Sequence, residues 1–257
     1  MLRLRYDPDM DSPTLDLLAA SPDGPGTPVP TPAQRRAIAA PPGPVLVVAG
    51  PGAGKTFCLI ERLRHLVEAH GYAPARLCAV TFTNKAAGEI AHRLQGTLGD
   101  RAHDVTGGTL HRLCLDVLRS EPGHAGLQPG FGIADEEYQQ ALVRRLGVPT
   151  KRVKGILTLF GRRRLRGAAL DPELEVLLGR YLRVLRERNL VDFDDILLLT
   201  ADLFRDRPDV ADRTAARWDA ILVDEFQDVS RVQYGILHRL AQPHRHLFAV
   251  GDDEQSI

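Results

Sequence analysis

The chain has 257 residues, 44% of them hydrophobic and 26% charged, which is typical of a globular protein with one large domain or two smaller ones. No apolar run is long enough to span a bilayer, and the N-terminus lacks the apolar core of a signal peptide. The 33 basic and 33 acidic residues cancel, so net charge alone gives no support for nucleic-acid binding. Three widely spaced cysteines favour reduced thiols over a metal site, so we expect a cytoplasmic protein that does not contact a membrane.

Residues 1–30 are rich in proline, aspartate, serine and glycine, and we predict a flexible leader there. Beyond them, runs of β-branched residues alternate with amphipathic segments. The predicted strands are 44–50, 77–82, 220–225, 246–252 and, as a shorter candidate, 104–106. The predicted helices are 32–40, 55–69, 85–94, 110–119 and 232–240. This alternation predicts βαβ units and therefore an α/β fold with a parallel sheet.

Residues 121–190 break the alternation, because they show helical periodicity without a good strand. We predict that they form an all-helical inserted subdomain. Residues 31–120 and 191–257 would then form one discontinuous α/β domain. Asp192 is predicted to cap the helix with which the chain returns to that domain.

The segment AGPGAGKT, residues 49–56, follows a predicted buried strand and precedes a helix, as a phosphate-binding loop does. Its glycines would let backbone N–H groups turn towards phosphate oxygens. Lys55 would reach the β- and γ-phosphates of ATP, and Thr56 would bind Mg²⁺. The other residues predicted to bind the nucleotide are Gly50, Gly52, Ala53, Gly54 and, on the following helix, Arg62.

A second part of this site is predicted in VDEFQD, residues 223–228, which closes a later apolar strand. Open parallel sheets bind ligands at the carboxyl ends of their strands, so these acids would lie beside the phosphate loop. Asp224 would hold Mg²⁺, and Glu225 would orient and deprotonate an attacking water. An acidic loop without a catalytic role is the alternative, and the phosphate loop makes it less favoured.

These motifs resemble those of the UvrD/Rep/PcrA-like helicases of superfamily 1. TPAQRRAIAAPPGPVLVVAGPGAGKT is similar to the family's Q motif and motif I, VDEFQD to its motif II, and GDDEQS to the opening of its motif III. The resemblance implies a RecA-like P-loop NTPase domain in which Gln34 contacts adenine and Gln255 senses the γ-phosphate. The sequence departs from the family pattern at Phe57, Gly88, Leu110 and Phe226.

The same resemblance implies a track for DNA. AVTFTNKAAGEI, residues 79–90, is similar to the family's motif Ia, and it offers Phe82 for base stacking and Thr83 and Asn84 for hydrogen bonds. GGTLHRL resembles the next DNA motif. The further residues predicted to contact DNA are Thr109 and His111 and, in a basic run of the insertion, Arg162, Arg163, Arg164 and Arg166.

By resemblance, we expect the front part of an ATP-driven 3′–5′ DNA helicase that acts on single-stranded DNA and on junctions of single- and double-stranded DNA. A second RecA-like domain, which supplies arginines to the γ-phosphate in the family, would lie outside this sequence, so the chain alone would hydrolyse ATP weakly. Three alternatives remain open: the motor of a RecB/AddA-like helicase–nuclease, a stand-alone nucleotide-dependent binding module, and an unrelated P-loop ATPase.

Overall fold

The computed structural model describes residues 4–7, 12–17 and 29–252. The chain folds into two compact units. The first, called the sheet unit, contains residues 1–110, 212–229 and 240–257. The second, called the helical unit, contains residues 111–211 and 230–239. None of the helices in the described ranges is both long enough and apolar enough to cross a membrane.

Strands and helices alternate through most of the described chain. The strands are β1 (Leu4–Asp7), β2 (Ser12–Leu17), β3 (Val45–Ala49), β4 (Leu77–Thr81), β5 (Thr106–Thr109), β6 (Gly132–Ile133), β7 (Leu190–Val191), β8 (Ala220–Val223) and β9 (Leu247–Gly251). The helices are α1 (Pro32–Ile38), α2 (Lys55–Glu68), α3 (Asn84–Leu98), α4 (Leu110–Ser120), α5 (Glu136–Arg145), α6 (Thr150–Arg166), α7 (Pro172–Glu187), α8 (Phe193–Asp206), α9 (Pro208–Ala215) and α10 (Arg231–Ala241). Short 3₁₀ turns lie at Pro74–Arg76, Gly99–Asp104, Gly123–Ala125 and Phe226–Asp228.

The sheet unit is built on a seven-stranded sheet in the order β1-β2-β3-β9-β8-β4-β5. All neighbouring pairs are parallel except β1 and β2. The strand that precedes the glycine-rich loop, β3, is therefore separated from β8 by β9 alone. Because parallel strands end at a common edge, the loop after β3 and the acids after β8 meet there. The predicted α/β class with a parallel sheet is confirmed.

The core of the sheet unit forms where α2 covers the sheet. Every residue of β4, β8 and β9 is buried, as expected for strands covered on both faces. On α2, Leu59, Leu63 and Leu66 recur at helical spacing and are fully buried in a cluster with Leu222 and Phe248. Burying a leucine side chain contributes roughly 1.5–3 kcal/mol, so this face holds α2 and the residues at its start in place.

The helical unit has a separate core. Val153, Ile156 and Phe160 of α6 share one helix face, and they are buried in the same cluster as Tyr181 and Leu185 of α7. One short parallel pairing, β6 with β7, also lies in this unit. The predicted all-helical character of residues 121–190 did not include β6 or β7, because two residues are too few to show a strand periodicity.

Predicted element types agree with the structure, and their ends differ by a few residues. The candidate strand at 104–106 lies at Thr106–Thr109 in the structure. Asp192 caps α8 as predicted: its side chain accepts a hydrogen bond from the Asp195 N–H at 2.7 Å, and Asp195 reciprocates. Residues 1–30 were predicted as a flexible leader without strands, but β1 and β2 lie within this range. The other residues before 29 lie outside the described ranges.

Candidate active site

The glycine-rich loop connects the end of β3 to the start of α2. Gly52 and Gly54 have φ values of +75° and +78°, in the left-handed region that favours glycine. α2 begins at Lys55, and no side chain of the described chain caps that helix start. Its first N–H groups therefore point towards the loop without an intrahelical partner, as in an anion-binding helix terminus.

Gln34 supports this loop from α1. It forms a capping box with Thr31, and its Nε2 donates to the Ala53 carbonyl at 2.9 Å. A Cβ on residue 54 would lie 2.9 Å from that same nitrogen, so any other residue there would have to displace the Gln34 amide and adopt an unfavourable positive φ. Gln34 is thus placed against the phosphate loop, and its predicted contact with adenine stays a prediction.

The structure brings Thr56 and Asp224 together. The Thr56 hydroxyl donates to Asp224 Oδ2 at 3.0 Å. Asp224 follows β8 directly and is 2% exposed, and its backbone N–H donates to the Val80 carbonyl at 3.0 Å. Burial raises the pKa of the Asp224 carboxyl, and the hydrogen bond from Thr56 opposes that rise. A cation beside this carboxylate would stabilise its charged form.

The donor set fits Mg²⁺ bound together with a nucleotide. A hydroxyl and a carboxylate are hard oxygen ligands, and Mg²⁺ commonly takes one or two carboxylates, waters and substrate phosphates. Among the described residues there is no group of three His, Cys, Asp or Glu side chains that could form an all-protein metal site. Thr56 and Asp224 are the residues that would hold a metal bound together with phosphates.

Glu225 adopts a sparsely populated backbone conformation, with φ at +53° and ψ at +45°. Its side chain accepts a hydrogen bond from Gln227 Nε2 at 2.7 Å. Strained backbone of this kind persists where the surrounding structure holds it and is frequent at functional sites. The conformation and the hydrogen bond together fix the Glu225 carboxylate beside Asp224.

Sequence reasoning missed Asp252, which follows β9 between the two predicted halves of the site. Its Oδ2 lies 3.3 Å from Lys55 Nζ, and its side chain is fully buried. Its backbone N–H donates to Gln227 Oε1 at 2.9 Å. An aspartate directly after a buried parallel strand is the signal that identifies it, because β9 ends at the same edge as β3 and β8. Gln255, the predicted γ-phosphate sensor, lies outside the described residues.

Arg62 is not placed at the phosphate loop, which corrects its assignment as a nucleotide contact. It lies seven residues into α2, about 10 Å along the helix axis from its start. Its guanidinium is buried, donates to the Ile38 carbonyl at 2.7 Å, and lies 3.2 Å from His246 Nε2. The ring of Phe248 lies under it, with its centroid 5.6 Å away. Arg62 therefore joins α1 and α2 to the start of β9.

Four of the residues predicted to contact DNA belong to the sheet unit. Phe82 is half-buried and follows β4, and Asn84 is exposed at the start of α3. The Thr83 hydroxyl accepts the Ala86 N–H at 3.1 Å and so caps α3. Thr109 ends β5 and pairs in register with Thr81. These residues share the sheet edge that carries Asp224, because β4 lies between β8 and β5.

His111 belongs to the helical unit. It packs edge-on against Phe193, with ring centroids 6.4 Å apart, and Phe193 is itself 50% exposed. Burial lowers the pKa of His111, so the ring is neutral at pH 7. A neutral imidazole can stack or hydrogen-bond, and it adds no charge for phosphate.

The four predicted arginines of α6 differ in their contacts, and the prediction for Arg164 is wrong. Arg164 is committed to internal ion pairs: its Nη1 lies 2.7 Å from Asp192 Oδ2, and its Nη2 pairs with Asp195. The Arg164 side chain is 8% exposed, so it does not present a phosphate-binding surface. Arg163 pairs with Glu175 at the surface, and its contact with DNA stays a prediction. Arg162 and Arg166 are exposed and remain predicted DNA contacts.

Comparison with known proteins gives the family. A family model described as the UvrD/REP helicase N-terminal domain matches residues 30–257. The chain is 34% identical over 242 residues to the ATP-dependent DNA helicase PcrA of Leuconostoc citreum, covering 87% of this chain and 32% of that protein. It is 30% identical over 241 residues to the PcrA of Staphylococcus aureus Mu50, covering 87% of this chain and 33% of that protein. The chain thus spans about a third of the length of the curated relatives that it matches. With the family model matching nearly all of the described chain, the protein belongs to the UvrD/REP helicase N-terminal domain family.

Proposed function

We propose that this chain is the ATP- and Mg²⁺-binding part of an ATP-dependent DNA helicase. The observation that carries the proposal is the 3.0 Å contact of the Thr56 hydroxyl with Asp224, at the edge where Lys55 begins α2. Thr56 lies at the start of α2, and Asp224, 168 residues away in the sequence, follows β8 directly. Together with Lys55 they provide a cation, a hydroxyl and a carboxylate. The relatives are ATP-dependent DNA helicases by name, which supports the same chemistry.

Each residue has a role in this proposal. Lys55 binds the terminal phosphates, and the N–H groups of Gly50, Gly52, Ala53 and Gly54 line the others. Thr56 and Asp224 hold Mg²⁺, which, when bound, offsets the negative charge of the phosphates. Glu225, held by Gln227, orients the attacking water and accepts its proton. Gln34 and Gln255 would read the adenine and the γ-phosphate.

In this proposal Phe82, Thr83, Asn84 and Thr109 of the sheet unit contact DNA. His111, Arg162, Arg163 and Arg166 are separate proposed contacts of the helical unit. The strands β8, β4 and β5 are neighbours, so the nucleotide and DNA residues of the sheet unit share one edge. We propose single-stranded DNA and its junctions with duplex as the substrate, and 3′–5′ movement, on the basis of family membership. Turnover by this chain alone would be weak, since arginines of a second RecA-like domain would complete the site.

The nucleotide part of the proposal is tested by Thr56→Val, which removes the hydroxyl and keeps the shape. Mg²⁺ should tighten ATP binding to the parent chain, and the variant should lose at least about tenfold of that gain, or about 1.4 kcal/mol. Thr97→Val is the matched control, because the Thr97 hydroxyl bonds only to its own helix, at the Arg93 carbonyl, among the contacts described. Mg²⁺-dependent binding that is equal in both variants would contradict the assignment.

The DNA part is tested by Phe82→Ala and by DNA-stimulated ATP hydrolysis. Stacking of a base on an aromatic side chain is worth roughly 1–3 kcal/mol, so single-stranded DNA should bind to Phe82→Ala about 5- to 150-fold more weakly than to the parent chain.

DNA-stimulated ATP hydrolysis should rise strongly when the chain is extended through a second RecA-like domain. Equal and substantial turnover with and without that extension would refute the need for the second domain.

A further inference from the structure

We propose that Asp252 competes with the nucleotide for Lys55: its carboxylate forms an ion pair with the Lys55 ammonium when no phosphate is bound. The inference rests on the proposed nucleotide function and adds to it the group that the terminal phosphates must displace. It begins from the one ion pair of Lys55 recorded in the described chain, Nζ to Asp252 Oδ2 at 3.3 Å.

The pair is buried, and this makes it an effective competitor. The Asp252 side chain has no exposed surface, and that of Lys55 is 11% exposed. The ammonium also donates to the carbonyls of Ala49 at 3.1 Å and Gly50 at 3.5 Å. With these three acceptors the Lys55 ammonium is hydrogen-bonded within the protein. A phosphate can bind it only by replacing at least one acceptor, and the carboxylate is the charged one.

The position of Asp252 follows from the strand order. β9 lies between β3 and β8, so the residue after β9 stands between the phosphate loop and Asp224. A carboxylate there repels a phosphate at the same ammonium, because like charges within a few ångströms of one another interact strongly away from bulk water. Nucleotide binding therefore has to work against both the ion pair and this repulsion.

The pair is also connected to the proposed water-orienting residue. The Asp252 N–H donates to Gln227 Oε1 at 2.9 Å, and Gln227 Nε2 donates to Glu225 Oε2 at 2.7 Å. A single amide side chain thus links the residue that competes with phosphate to the carboxylate that would hold water. Phosphate that displaces the Asp252 carboxylate would therefore act on the residue whose N–H holds Gln227.

The test is Asp252→Asn, measured by equilibrium binding of Mg-ADP, Mg-ATP and AMP. If the ion pair is closed in about nine molecules in ten, its loss should tighten Mg-ADP and Mg-ATP binding about tenfold. AMP lacks the phosphates that reach Lys55, so its affinity should not change. Asp219→Asn is the matched control: it removes a carboxylate that pairs with Arg76, before β8 rather than after β9, and it should leave all three affinities unchanged.

A second readout does not depend on nucleotide. Acylation of Lys55 by an amine-reactive reagent, followed by mass spectrometry and normalised to Lys154, whose side chain is 79% exposed, should be several-fold faster in Asp252→Asn than in the parent chain. Asp252→Glu keeps the charge and should restore slow acylation. Circular dichroism of all variants checks the fold.

The outcomes separate the two proposals. Weaker or equal Mg-ADP binding in Asp252→Asn, with unchanged Lys55 acylation, overturns the competitor role and leaves the proposed function standing if the parent chain binds Mg-ADP. Faster acylation without nucleotide binding by any variant supports the ion pair and refutes the nucleotide function. Tighter binding of AMP to the same degree as of Mg-ADP also overturns the inference, because the effect would then not involve Lys55.

Discussion

The replacement Arg164→Met tests whether this arginine holds the helical unit together or contacts DNA. The side chains of Arg164, Asp192 and Asp195 are 8%, 4% and 3% exposed, so the charges of this cluster are buried. Without Arg164, Asp192 keeps the Tyr181 hydroxyl at 2.9 Å, and Asp195 keeps Arg186 at 2.9 Å. In the recorded contacts Arg186 pairs with Asp195 and not with Asp192, so the loss of Arg164 leaves about one buried negative charge, that of Asp192, without an arginine partner.

Removing one partner of a buried ion pair destabilises a protein by about 3–5 kcal/mol. For a protein of about this size, each kcal/mol lowers Tm by roughly 2–4 °C, so Arg164→Met should unfold about 6–20 °C below the parent chain. Arg163→Met is the control, because Arg163 and Glu175 are 42% and 40% exposed and such pairs contribute about 0–1 kcal/mol. Urea unfolding followed by circular dichroism avoids the screening that a denaturing salt would add.

DNA binding measured against salt concentration completes this test. A phosphate contact contributes about 0.7–0.9 to the slope of log affinity against log salt. Arg164→Met should leave the slope unchanged under conditions where the variant is folded, and hydrogen exchange of the amides of α6 and α8 should report its local destabilisation. A variant as stable as the parent, with a slope reduced by about one, would refute the structural role of Arg164.

Three further outcomes follow from the structure. Burial beside Arg62 lowers the pKa of His246 to about 4, so between pH 6.5 and 4 the unfolded chain binds more protons than the folded chain. The free energy of unfolding should therefore fall over this pH range, and it should fall less steeply in His246→Gln than in the parent chain, as measured by urea unfolding. Gly54→Ala should weaken Mg-ATP binding, because residue 54 has a positive φ and its Cβ would meet Gln34. Gly96→Ala lies inside α3 with open space around it, and it should instead raise the free energy of unfolding by about 0.5–1 kcal/mol. Arg166→Met should reduce the DNA salt slope by about one without a change in Tm.

Sequence patterns predicted the elements because the signals are local. A β-branched run followed by glycines and a helix specifies β3, the loop and α2, and Asp192 caps α8 because a side-chain oxygen at that position accepts a helix N–H. The proximity of Thr56 and Asp224 also followed, since the carboxyl ends of parallel strands share an edge.

The burial of charged side chains and the identity of their partners could not be predicted from local sequence patterns. A basic run predicts exposed, phosphate-contacting arginines, because arginine is usually exposed. Arg62 and Arg164 are instead buried among partners that lie far away in the sequence. The pairing of Asp195 with Arg164 depends on how α6 packs. Such partners are set by tertiary packing, which a local pattern does not contain.

Two side chains of α2, Lys55 and Arg62, contact residues that flank β9, and these contacts explain how the strand is positioned for the site. Lys55, at the start of the helix, pairs with Asp252 after the strand, and Arg62 contacts His246 before it, so helix and strand run in opposite directions. The Arg62 end is buried and bonded to several backbone carbonyls, which makes it a fixed point. The Lys55 end is the one that phosphate would reach. Because one end is fixed, an exchange of partners at Lys55 can alter the end of β9 while its start stays in register.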